Sequence, residues 1–172
     1  MSDVVARTPR TSRRLELTLV AMVVIVDQVT KATVRGALPL HGSITVIPEL
    51  LSLTHVRNTG AAFGVLNNMD FPYKTWVIAA VALAALVGIA LYASQLPPGD
   101  RGARVGLGLI LGGAVGNLID RATYGYVLDF VDAYWDSYHF WAFNVADSAI
   151  SIGAVLLILD MMRPRRHVSH PV

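Results

Sequence analysis

Apolar residues run along this chain in four long stretches, each close to the ~20 residues a helix needs to cross a hydrocarbon layer of ~30 Å. They are LELTLVAMVVIVDQVTKATV (15–34), KTWVIAAVALAALVGIALYAS (74–94), GARVGLGLILGGAVGNLID (102–120) and AFNVADSAISIGAVLLILDMM (142–162). The second is the cleanest, and Pro97-Pro98-Gly99 ends it sharply. Between the first and second stretches the pattern changes. SITVIPELLSLTHVRNTG (43–60) has β-branched residues, partial alternation and breaker residues at its edges. That predicts two or three short strands. GAAFGVL (60–66) predicts a short helix, and YGYVLDFV (124–131) a further strand. The pattern therefore predicts one integral-membrane domain over 1–172, with four transmembrane helices and a small sheet built from the long connections 35–73 and 121–141.

Composition agrees. Of 172 residues, 54% are hydrophobic and only 15% charged, against about a quarter charged in a soluble domain. With no cysteine, disulfides, thiolate metal sites and Cys nucleophiles are excluded. The five histidines, His41, His55, His139, His167 and His170, show no HxH or HxxxH spacing, so no metal is expected. Net charge is +2, and the basic residues gather at the ends: Arg7, Arg10, Arg13 and Arg14 in 1–14, Arg163, Arg165 and Arg166 in 163–172. This distribution points to membrane orientation rather than nucleic-acid binding. Both tails are expected in the cytoplasm, which an even number of spans allows, and Arg101 and Arg104 put the 95–104 connection on the same side. Residues 13–26 look like a signal peptide, but no A-x-A site follows, so they are taken as an uncleaved first span.

Some polar residues lie where lipid tolerates them poorly. Asp27 and Lys31 are four apart on one helix face with the acid first, the favourable order for a pair. A brace for the bundle is the plain explanation; a chemical role is the other. Gln28, on a different face, can bond a neighbouring helix. Gly108, Gly112 and Gly116 make a smooth stripe for helix packing. In GNLIDR, Asn117 and Arg121 share a face while Asp120 points elsewhere. Asn144 and Asp147 open the last stretch at capping-box spacing, and Asp147 suits the positive end of the helix dipole. Yet Asp129 precedes them in VLDFV, and the topology puts Asp129, Asp147, Asn58, Asn117 and Arg121 at one membrane boundary. One polar site there would account for all of them.

Two adjacent carboxyls share a proton, because both cannot ionise easily. The ionised one takes a proton from water and the protonated one polarises a carbonyl; the roles then reverse. This chemistry needs neither metal nor nucleophilic side chain.

VDQVTK, RNTGAAFG, GNLIDR, VLDF and FNVADSAI, in this order over residues 15–162, resemble the lipoprotein signal peptidase family of bacteria, also called signal peptidase II. The resemblance implies a membrane all-α bundle of four transmembrane helices with a small extracytoplasmic β-cradle and a short amphipathic helix. It implies an aspartic endopeptidase of the cell inner membrane that cuts prolipoproteins before their diacylglyceryl-modified Cys. Asp129 and Asp147 would be catalytic. Asn58, Asn117, Arg121 and Asn144 would contact substrate, and Asp27, Lys31 and Asp120 would support the site. No metal or other cofactor is implied; the partners are prolipoprotein substrates and membrane lipids, with no nucleic acid, and a monomer is expected. The family often has Trp or Phe followed by Pro before FN, where this chain reads HFWAFN. The competing class is a proton-coupled transporter or channel subunit using Asp27; a non-enzymatic scaffold is a third. The GxGD pattern of other intramembrane aspartic peptidases does not occur.

Overall fold

The computed structural model describes residues 10–60, 69, 71–96 and 100–162. Four helices occur among them: α1 (Arg10–Ala37), α2 (Lys74–Gln95), α3 (Arg101–Tyr124) and α4 (Val145–Met161). α1, α2 and α3 are long and apolar enough to cross a membrane. α4 has 17 residues, roughly 26 Å at 1.5 Å per residue.

Helix ends depart from the apolar windows for local reasons. α1 outruns 15–34 at both ends, because helical hydrogen bonding continues after the hydropathy drops. α3 continues to Tyr124 and stops where Gly125 takes a left-handed φ of 79°. α4 begins at Val145 rather than 142, because Asn144 is extended (φ −133°) and caps it. The short helix expected at 60–66 lies, from residue 61 onward, outside the described residues, as do Pro97-Pro98-Gly99 and the basic tail 163–172.

α3 is the hub, packing against α1, α2 and α4. Its glycines allow this. A Cβ on Gly112 would lie 2.8 Å from Val23 Cβ of α1, and one on Gly116 would lie 2.6 Å from the Asp27 carboxylate. On another face, a Cβ on Gly106 would lie 2.8 Å from the Gly153 carbonyl oxygen of α4. In lipid, where apolar surface has nothing to gain by hiding, such close backbone approach holds helices together.

The bundle is polar inside and apolar outside. On α1 the buried positions are Glu16, Val23, Asp27, Lys31 and Val34, while Leu17, Ile25, Val26 and Val29 are exposed. These buried positions recur every three, four or seven residues, one stripe of a helix.

One end of the bundle carries a four-stranded antiparallel sheet, ordered β1 (Ser43–Ile47), β2 (Leu51–Asn58), β3 (Val127–Trp135), β4 (Tyr138–His139). Residues 43–60 supply two of these strands; β4 was not anticipated. Asp136 (φ 55°) turns β3 into β4. Leu128 and Phe130 pack on Val34 and Leu38 at the end of α1. Alternation along β3 turns Asp129, between them, to the opposite face.

Candidate active site

Asp129 sits on β3 opposite Val56 of β2, and Asn58 is opposite Val127. Asn58 and Asp129 are therefore diagonal neighbours on one face, within reach of each other. Asn58 Nδ2 donates to Asp129 Oδ2 at 3.0 Å. The other carboxylate oxygen accepts from Asn144 Nδ2 at 2.7 Å.

Asn144 caps α4, and the capping box is complete: its Oδ1 accepts from Asp147 N at 2.9 Å, and its own N–H donates to Asp147 Oδ2 at 3.3 Å. Capping and site geometry are thus the same set of bonds. Asn144 is the shared neighbour of both acids, binding Asp129 through its side chain and Asp147 through its backbone. Asn117 of α3 donates from Nδ2 to Asp147 Oδ1 at 2.8 Å.

Asp129 is 3% exposed. Burial pushes its carboxyl up to about 7, and the neighbouring charge of Asp147 pushes the same way. The hydrogen bonds from Asn58 and Asn144 and the charge of Lys31 oppose this without reversing it. This acid therefore keeps its proton to much higher pH than an exposed aspartate does. Asp147 is half-buried.

Beneath the acids lies a sealed ionic cluster. Lys31 Nζ is 2.8 Å from Asp27 Oδ2 and 3.2 Å from Asp120 Oδ2, with all three side chains fully buried. Lys31 also donates to Asn117 Oδ1 at 3.0 Å. Arg121 turns outward from this cluster: its Nη2 donates to the carbonyl oxygen of Gly60 at 2.8 Å, tethering the loop after β2. Among the described residues no three His, Cys, Asp or Glu side chains gather as a metal site.

All nine residues singled out in the sequence fall in this region. Asp120, which seemed to point away from Asn117, is turned onto Lys31 and the backbone N–H of Leu128 (3.1 Å). Gln28 was not counted with them, yet its Nε2 lies 3.2 Å from Asp27 Oδ2 and 3.3 Å from Asp120 Oδ1. The signal for it was an amide beside an acid in an apolar helix.

The spanning-length helices define a membrane protein, and at its sheet-covered end two acids are hydrogen-bonded to the same residue, Asn144. Residues 19–163 match the family described as Signal peptidase (SPase) II. The lipoprotein signal peptidase of Geobacter metallireducens is 49% identical over 87% of this chain and 91% of its own length. That of Pseudomonas aeruginosa is 40% identical over 87% and 89%. A solved bacterial membrane enzyme superposes with a TM-score of 0.75 at 30% identity, covering 87% of this chain and 94% of that one. The chain belongs to the signal peptidase II family, and its enzymatic class is that of an aspartic peptidase.

Proposed function

We propose that this chain removes signal peptides from diacylglyceryl-modified prolipoproteins, cutting before the lipid-modified Cys with Asp129 and Asp147 as the catalytic pair. The observation that carries the assignment is Asn144, whose side chain and backbone bond one acid each. Asp129 carries the shared proton, in keeping with its raised pKa of about 7. Its O–H polarises the scissile carbonyl while ionised Asp147 takes a proton from water. The water attacks, and Asp147 then returns a proton to the leaving amine. Asn58, Asn117 and Asn144 keep the carboxylates aimed, and with Arg121 they line the peptide path.

Four crossings are proposed, with α4 as the fourth, both termini in the cytoplasm and the sheet forming an extracytoplasmic cradle on the inner membrane. The protein acts as a monomer. The exposed Trp135, Tyr138 and Trp141 suit the interface between headgroups and water. A proton relay through Asp27 is disfavoured, because this fully buried acid is occupied by Lys31, Gln28 and the Ala146 N–H.

The decisive experiment incubates purified protein with diacylglyceryl-modified and unmodified precursors and locates the cut by mass spectrometry. Cleavage of the modified precursor alone, immediately before its Cys and undiminished by EDTA, is expected. Robust processing by Asp129→Asn or Asp147→Asn would reject the pair.

A further inference from the structure

We infer that Lys31, Asp27, Asp120 and Gln28 form a positioning device that sets both acids through the backbone amides just before them. The inference rests on the catalytic pair proposed above. Asp27 Oδ1 accepts from Ala146 N at 3.0 Å, one residue before Asp147. Asp120 Oδ2 accepts from Leu128 N at 3.1 Å, one residue before Asp129. Each arm of the cluster therefore ends on a different element, α4 or β3, at the same offset from its acid.

Lys31 joins the arms, lying 2.8 Å from Asp27 and 3.2 Å from Asp120. It also donates to Asn117 Oδ1 at 3.0 Å, which fixes that amide with its NH₂ toward Asp147. A flipped amide would set an oxygen against the carboxylate. Gln28 ties the cluster a second time: its Nε2 lies 3.1 Å from the carbonyl oxygen of Gly116, besides its contacts with Asp27 and Asp120. A brace between α1 and α3 would need only one ion pair. Here each acid also accepts from the amide next to a catalytic position, Asp27 through the oxygen that Lys31 leaves and Asp120 through the same Oδ2 that faces Lys31. Displacing such a group by about 1 Å can cost ~100-fold in rate.

The charged groups acting on Asp129 come from three helices: Lys31 on α1, Arg121 on α3 and Asp147 on α4. Asn58 on β2 and Asn144 add hydrogen bonds. Removing the Lys31 charge therefore shifts the alkaline limb of activity to higher pH, since Lys31 lowers the Asp129 pKa. The shift reports the lost Lys31 charge; a fall in kcat at unchanged KM is what separates positioning from a brace.

The test measures kcat, KM, pH profile and Tm of the full-length enzyme with the diacylglyceryl-modified precursor, for wild type, Gln28→Leu and Lys31→Met. Gln28→Leu leaves the buried charges in place; kcat is expected to fall about tenfold with KM within twofold. Lys31→Met is expected to lower kcat about 100-fold and to move the alkaline limb upward. Variants with lowered Tm but wild-type kcat would overturn the inference and leave a brace. If Lys31→Met does not fold, Gln28→Leu decides alone, and an unchanged kcat overturns the inference. A wild type that cleaves neither precursor overturns the substrate assignment, and the inference falls with it.

Discussion

Two clusters of acids lie side by side in this bundle and are stabilised by different means. Asp27 and Asp120 face a lysine, and each also accepts from Gln28 and from a backbone N–H. Asp129 and Asp147 are held by asparagine side chains and a cap N–H, all uncharged donors. Uncharged donors fix direction but leave most of the charge uncompensated. A buried acid in that position keeps its proton to higher pH, as Asp129 does. Asn117 belongs to both clusters, accepting from Lys31 and donating to Asp147.

The sharpest way to break this contrast is to neutralise one of the two acids proposed as catalytic. Asp129→Asn and Asp147→Asn are each expected to lower cleavage by about 10⁴-fold or more, with normal membrane insertion. For Asp129→Asn, the sign of the stability change is informative. The folded pKa of about 7 exceeds the ordinary 3.8, so stability is fully present below about 3.8 and is lost as pH rises through 7. Removing this acid should therefore raise Tm at pH 8, measured by thermal unfolding in detergent. A lowered Tm would show Asp129 to be structural, like Asp27.

Asn144→Ala comes next. It removes a donor to Asp129 and the cap that holds Asp147, and a fall of about 10²–10³-fold in kcat is expected. A smaller effect follows from pH. Activity should drop about tenfold per unit above pH ~7, and Asn58→Ala should move that limb upward, because Asn58 lowers the Asp129 pKa. Rate profiles between pH 5 and 9 check both. The smallest effect is expected far from the acids. Arg104 and Glu16 form a buried pair at 2.8 Å toward the other end of α3. Glu16→Gln should lower Tm by several degrees yet leave kcat within about twofold.

Three spanning-length helices, the strand regions and the gathering of the polar residues at one end were legible because each follows from spacing along one element. The relation of Asn58 to Asp129 was not. It depends on strand register, and β2 has an irregularity between Leu53 and Val56 that no alternation pattern announces. The partners of Asp120 were hidden for a similar reason. Helical spacing correctly separates it from Asn117, but its partners are Lys31 on another helix and a backbone N–H beyond the turn at Gly125. Backbone groups such as Leu128 N and Ala146 N are invisible in a sequence, since every residue but proline has one. Asn144 could be read as a cap or as a site residue; in the structure the cap and the bonds to both acids come from the same side chain and N–H.

The glycine faces of α3 carry a mechanical implication. With Val23, Asp27 and the Gly153 carbonyl oxygen all within 3 Å of where side chains would begin, a slide of this helix by a single residue would drive Leu or Val into its neighbours. α3 is thus a keyed shaft, locked along its axis. Any yielding that admits a lipid-bearing substrate helix must come from elsewhere, and α2, whose Val77, Val81, Val87 and Leu91 are exposed, has the freest sides.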